Sequence, residues 1–307
     1  AVIFDTARKS FRNELYADYK AHRPPAPEDL VPQFPFFREA TKAFNVPTWE
    51  MEGFEADDLI ATWARQAREE GYEVVIVSSD KDLMQMVGDG VTMLDPMKQR
   101  RIGPEEVFEK FGVGPDRVID VQAMAGDSAD NVPGVPGIGI KTAALLVNEY
   151  GDLDAVLERA GEVKQNKRRE NLIEFADQAR VSRDLVTLRQ DVPVEHGIDD
   201  MELKPADPQT LLSFLAEMEF GKLFDRLKSR FGDVEIDLPE AASVAPGEQD
   251  APGVLQAPAP ADSNYVAVQN IDDLKDWIAR AHKTGYVAVD TETTGLDAMQ
   301  AKLVGVS

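Results

Sequence analysis

Eight carboxylates recur in four short groups along the first 130 residues. Asp5 closes the opening apolar stretch AVIFD. Glu55, Asp57 and Asp58 stand together in GFEADDLIAT. Asp80 and Asp82 follow an apolar run in EVVIVSSDKD. Asp127 and Asp130 lie three apart in GDSADNVPGVPGIGIKTA. Each group alone has an ordinary reading: acids at a helix start cap it or complement its dipole, and acids in turns are solvated. Gathered in one place they would repel, and a divalent cation relieves that repulsion. Carboxylate oxygens suit hard ions such as Mg²⁺ or Mn²⁺. With no cysteine and three histidines, a zinc centre is not expected. Two hard cations about 4 Å apart can clamp the attacking and leaving oxygens of a phosphodiester and activate a bound water.

The last acid pair runs into GVPGIGIKTA, where three phosphate-binding motifs compete. A P-loop needs Gly directly before Lys-Ser/Thr, and Ile140 stands there. A dinucleotide fingerprint needs a third glycine where Thr142 stands, and no strand precedes it. A helix-hairpin-helix needs glycines for close backbone approach, here Gly137 and Gly139. It also needs amides at the next helix start, and a cation, here Lys141 beside Thr142. A plain Gly/Pro turn stays open as the fourth reading.

Residues 8–23, RKSFRNELYADYKAHR, hold five Lys/Arg against two acids and interleave Phe11, Tyr16 and Tyr19. Cations for the backbone and rings for bases suit single-stranded nucleic acid; a solvated amphipathic helix is the alternative. Lys20 and Arg23 follow Asp5 closely enough to reach a scissile phosphate. The net charge of −23 argues against nucleic-acid binding, but it hides basic clusters at 8–23, 98–101 and 164–169.

These residues need positioning elements. The chain has 307 residues, 43% of them hydrophobic, enough for two domains with cores. Strand and helix signals alternate over 1–115, an α/β pattern. EVVIV reads as a strand covered on both faces of a parallel sheet. Helical patterns dominate from about 104 to 230, and Asp127 and Asp130 have the spacing to share a helical face. Residues 233–263 hold seven acids, seven alanines, five prolines and no Lys or Arg, the composition of a flexible linker. A second α/β pattern follows, with a helix at about 272–283 and a strand ending in Asp290. The absence of cysteine leads to the expectation of a reducing cytoplasm, and no apolar run approaches the roughly 18–20 residues of a membrane span, so no membrane partner is expected. Both ends fall inside apolar runs, and a piece of a longer protein is expected.

FDTARKSFRNELYADYKAHR, GFEADDLIAT, VSSDKDLMQMV and GDSADNVPGVPGIGIKTA, in this order, resemble the 5′ nuclease domain of the bacterial DNA polymerase I family over residues 1–230. YVAVDTETTGL resembles the first motif of that family's 3′–5′ exonuclease domain. The resemblance implies an α/β, mostly parallel, PIN-like nuclease fold with a helical helix-hairpin-helix subdomain, then the start of a ribonuclease-H-like domain. The implied division is 1–232 for the nuclease, 233–263 for the linker and 264–307 for the second domain. Within the nuclease, 1–115 is the α/β part, 116–195 the hairpin part and 196–232 the terminal helices.

It also implies a structure-specific 5′–3′ nuclease acting on 5′ flaps, nicks and RNA primer–DNA hybrids, working as a monomer. Its metal ligands are Asp5, Glu55, Asp57, Asp58, Asp80, Asp82, Asp127 and Asp130, with Mg²⁺ or Mn²⁺, two ions, as cofactor. Lys20 and Arg23 steer the phosphate from a helical arch that also carries Arg12. Gly137, Gly139, Lys141 and Thr142 bind the duplex, with K⁺ as an accompanying ion, and Asp290 and Glu292 form a partial exonuclease metal site. A further metal-binding aspartate upstream of residue 1 and later exonuclease motifs are implied to lie outside this chain. A non-catalytic module that binds DNA junctions is the alternative; a nucleotide-binding phosphotransferase is disfavoured by the failed P-loop.

Overall fold

Short strands with helices after them leave their carboxyl ends at one place in the first part of the chain. The computed structural model describes residues 1–6, 9–232, 268, 270–285, 291–294 and 302–306. Asp290 and the stretch 233–263 lie outside the described residues. β1 (Val2–Ile3) pairs in parallel with β2 (Thr48–Trp49). Between them come α1 (Arg12–Leu15) and α2 (Phe34–Ala43). α3 (Ala56–Glu69) follows β2 and starts in a capping box, in which the Glu55 N–H donates to Asp58 at 3.2 Å. Its apolar stripe buries Leu59, Trp63, Ala64 and Ala67, as helical spacing predicts.

β3 (Val74–Val77) pairs in parallel with β4 (Val91–Asp95), and β4 pairs antiparallel with β5 (Arg100–Ile102). β3 departs from the expectation of two covered faces. Ile76 is buried, but Val75 and Val77 are exposed, Val77 by 61%. Among the described residues β4 is the only strand beside it. A short apolar run cannot by itself distinguish one covered face from two.

The helical part runs through α4 (Pro104–Phe111), α5 (Val118–Ala125), α6 (Ile140–Tyr150), α7 (Leu153–Glu158), α8 (Asn166–Glu174), α9 (Ala176–Val186), α10 (Pro208–Glu217) and α11 (Gly221–Phe231). α10 and α11 pack in a separate cluster with Ala43 of α2. One core joins α4–α9 to the strands: Met93 of β4 and Phe111 of α4 cluster with Met124, Leu153 and Leu172. α5 lies at the middle of this core, so its ends are fixed from several sides.

The chain divides into two units, 1–244 and 245–307. In the second unit α12 (Ile271–Thr284) is capped by Asn270, which accepts from the Asp273 N–H at 2.9 Å, and ends at the left-handed Gly285. β6 (Thr291–Thr293) pairs antiparallel with β7 (Leu303–Val306). Among the described residues no helix is long and apolar enough to cross a membrane.

Candidate active site at the carboxyl ends of the strands

Asp5 lies two residues beyond β1, and its Oδ1 accepts from the Ala56 N–H at 2.8 Å. That bond ties the end of the first strand to the first turn of α3, which carries Asp57. Asp80 follows β3 and accepts from the Asp82 N–H at 3.0 Å. Asp82 opens a tight 3-10 turn, Asp82–Met86, and accepts from Gln122 of α5 at 2.6 Å. Carboxyl ends of strands are where open α/β sheets build sites.

The four carboxylates feel one another. Burial, then the charges of Asp80, Asp5 and Asp82, push Asp57 up to about 7. Burial, then Asp80, push Asp82 up to about 6, against the hydrogen bond from Gln122. Both shifts have the sign expected of crowded, half-buried acids.

Asp127 and Asp130 join this centre from a turn, not from a helical face. α5 stops at Gly126 (φ +69). The chain then folds back so that Asp127 and Val132 exchange backbone hydrogen bonds of 2.9 and 2.8 Å. Gly126 is required here: a Cβ on it would stand 2.6 Å from the Val132 carbonyl oxygen. The two acids line a cavity of about 480 Å³ together with Asp80 and Asp82.

Cations hold the outer acids. Lys20 Nζ is 2.9 Å from Glu55 and 3.6 Å from Asp130. The Tyr19 hydroxyl reaches the same two carboxylates at 3.1 and 3.3 Å. Burial and Glu55 push that phenol far up, so it stays protonated and can donate. Arg23 pairs with Asp130 and Lys81 with Asp127. Burial acts to raise Asp127, but Lys81 and the Ala129 N–H outweigh it and hold the carboxyl below its ordinary value.

Arg12 borders the same acids, 3.6 Å from Glu55, but its main partner is Asp58. Both are buried, and two guanidinium nitrogens of Arg12 each donate to Asp58 at 2.7 Å. Arg12 also donates to the carbonyls of Leu185 and Thr187 at 2.8 and 3.1 Å, and the Arg189 N–H donates to Asp58 at 2.9 Å. The sequence expectation of a DNA-contacting Arg12 and a metal-ligating Asp58 therefore meets a buried structural pair. Its oxygens and donors are committed to protein. The aromatics of 8–23 are likewise used inside: Tyr19 is buried, and Phe11 lies against Phe54 with ring centroids 5.9 Å apart. Among the described residues of that stretch only α1, four residues long, is α-helical.

The glycine turn opens α6. Gly137 is left-handed (φ +76) and Gly139 is the extended N-cap. Both are exposed, as is Lys141, while Thr142 is half-buried. A Cβ on Gly139 would meet nothing within 4 Å, so the backbone there is open to a ligand.

Residues 1–112 match the family described as the 5′–3′ exonuclease N-terminal resolvase-like domain. Residues 113–209 match the 5′–3′ exonuclease C-terminal SAM fold. Residues 1–209 thus match both domains of the 5′–3′ exonuclease family.

Residues 265–307 match a 3′–5′ exonuclease family. DNA polymerase I of Rhizobium leguminosarum is 48% identical over 357 residues, covering 100% of this chain and 35% of that protein. DNA polymerase I of Pseudomonas aeruginosa is 37% identical, covering 100% of this chain and 33% of its own length. The chain thus spans about a third of the length of the curated relatives it matches. Among solved structures, a T5 protein co-crystallised with metal ions is similar with TM-score 0.55 and 22% identity, over 75% of this chain and 83% of that one. A bacteriophage T5 flap endonuclease complex with DNA and metal ions is similar with TM-score 0.54 and 22% identity, over 75% and 81%. These likenesses show the α/β nuclease fold.

Of the exonuclease's sequence-predicted acids, the fold gathers Asp5, Asp57, Asp80, Asp82, Asp127, Asp130 and Glu55 around adjoining cavities. Glu292 lies in β6, of which only the backbone is described, and Asp290 lies outside the described residues. Three contributors had gone unassigned: Lys81, Tyr19 as a bridging hydroxyl, and Gln122. Lys81 carried a signal, since it stands between two candidate ligands. Gln122 carried none, because its place beside Asp82 depends on the packing of α5.

Proposed function

We propose that this chain is a divalent-metal-dependent, structure-specific 5′–3′ nuclease. It hydrolyses phosphodiesters at 5′ flaps and nicks and on RNA primer–DNA hybrids, as a monomer, with Mg²⁺ or Mn²⁺ as its ion. The observation that carries the reading is the convergence of Asp5, Asp57, Asp80 and Asp82, where burial, and then the charges of the other three, lift Asp57 to about 7. Carboxylates that repel one another at the ends of strands fit a hard divalent cation. Among the described residues no group of three or more acids is placed to hold a metal ion as the side chains stand, so binding would require them to leave their present cation partners. Lys20, Arg23 and Lys81 hold Glu55, Asp130 and Asp127 in its place. The residues that would hold the ions are Asp5, Glu55, Asp57, Asp80, Asp82, Asp127 and Asp130, with Asp58 acting through Arg12.

Bound divalent ions supply phosphoryl polarisation and a water of lowered pKa. The chain's own residues supply the rest. Lys20 and Arg23 border the acids, pairing with Glu55 and Asp130, and would meet the phosphate where it approaches those acids. Gln122 keeps Asp82 oriented through its 2.6 Å bond. Tyr19 keeps Glu55 and Asp130 together. The exposed turn at Gly137, Gly139, Lys141 and Thr142 takes the backbone of the duplex, with K⁺ as its accompanying ion. Asp290 and Glu292 are the first acids of a 3′–5′ exonuclease site.

The test is cleavage of a 5′-labelled flap duplex with Mg²⁺ and with EDTA. Metal-dependent cutting near the junction is expected. Junction binding of equal strength in Mg²⁺ and EDTA, without cutting in any divalent ion, would replace the nuclease by a binding module.

A further inference from the structure

Next to the acid centre lies a second cavity of about 550 Å³ that combines rings with cations. Phe34 and Phe37 form part of its wall with Lys20, Arg23 and Arg38, and Asp5 and Glu55 connect it to the acids. Phe34 is 38% and Phe37 50% exposed. Their ring centroids are 6.3 Å apart with planes tilted by 38°. Neighbouring large rings left open to water are an informative departure from the burial rule.

Phe34 and Phe37 are three apart on α2 and share a face. Ala43, about 180° round the helix from Phe34, packs against Leu211 and Leu215 of α10, and neither phenylalanine belongs to a described core cluster. Phe36, on Ala43's side, is also 40% exposed, so what singles out Phe34 and Phe37 is their place in the wall of this cavity beside the cations. Arg38 lies 5.0 Å from the centroid of the Phe4 ring, pairs with Glu50, and donates to the Asp5 carbonyl at 3.4 Å. Its guanidinium is thus held beside the first acid.

Ring faces next to cations, leading into a centre that cuts phosphodiesters, match the chemistry of unpaired nucleotides. Bases stack on rings while phosphates meet cations. The charge is local, since the chain as a whole carries −23. An apolar peptide would have no use for three cations there. We propose that Phe34 and Phe37 form a stacking platform for the unpaired base of the 5′ strand beside the cleaved phosphate, with Arg38 contacting the adjoining phosphate. This rests on the nuclease reading and adds to it the positioning residues that distinguish an unpaired nucleotide from a paired one.

The experiment uses the full chain and a flap duplex carrying 2-aminopurine as its first unpaired nucleotide, bound in EDTA. Binding by the parent is expected to change the fluorescence, and Phe34→Ala with Phe37→Ala to abolish that change. With Mg²⁺ the double variant should need about tenfold more substrate for half-saturation, with turnover at saturation unchanged. An abasic residue at the same position should weaken parent binding by a similar factor and leave the variant's binding as it is. A variant that keeps the fluorescence change, or a parent that binds the abasic flap as tightly as the intact one, overturns the platform. The abasic arm needs no variant and decides the matter even if the variant fails to fold. A parent that cuts flaps without any fluorescence change overturns the platform alone. A parent that neither binds nor cuts them overturns the nuclease reading and the platform with it.

Discussion

Asp57 is the residue on which the metal reading can be tested without DNA. Its carboxyl rises from 3.8 to about 7 on folding. Between those values the folded chain holds a proton that the unfolded chain has lost. Asp57 therefore costs nothing below about pH 4, and lowers stability progressively as pH rises through the window to about 7. In EDTA, Asp57→Asn should be more stable than the parent by about 1–3 kcal/mol at pH 8 and equal to it near pH 4. Urea titrations at both pH values check this, and equal stability at pH 8 would mean that neither burial nor the neighbouring acids penalise the Asp57 charge. The buried pair makes an opposite prediction. Arg12→Ala strands the Asp58 charge and should cost about 3–5 kcal/mol, whereas Lys20→Ala should change the melting temperature little and slow flap cleavage sharply. An Arg12 variant that melts like the parent but loses DNA binding would return that arginine to the DNA surface.

Turns decide the site more than helices do at the scale of elements. α3 and α6 were legible because their apolar spacing and their flanking signals, Asp57 and Asp58 at one start and Gly139 at the other, agree. The turn at 126–134 was legible as a turn, yet the placing of its acids was not. Their i, i+3 spacing suits a helix, and what overrides it is the contact between Gly126 and the returning backbone at Val132 and Gly134. Gly126→Ala should therefore displace Asp127 and Asp130 and destabilise the fold by about 2 kcal/mol. It should also diminish the rise in melting temperature that Mg²⁺ gives the parent. Thermal melts with and without Mg²⁺ read both effects, and an unchanged Mg²⁺ response would detach this turn from the ion site. For the hairpin, Lys141→Ala should weaken binding to all duplex sequences alike and reduce the salt slope by about one.

Over the whole molecule the charge balance is strongly acidic, with cations concentrated at particular surfaces. If Lys20, Arg23, Arg38 and Lys141 make the phosphate contacts, log affinity should fall with log salt at a slope of about −4. A titration giving a slope near −10 would place the clusters at 98–101 and 164–169 on the DNA as well. The sequence by itself determined the α/β-then-helical order, the family, and the acids available for a metal, because those depend on residue type and local spacing. Only the tertiary structure decided which residues face the site. It took Arg12 and Asp58 inside, since a buried carboxylate needs a bidentate partner, and it spent Tyr19 on bridging two acids. It left Phe34 and Phe37 open to water in the wall of a cavity that Lys20 and Arg38 share. Such choices depend on which surfaces meet across a hundred or more residues, as Arg12 meets Leu185 and Thr187. Local spacing carries no record of them.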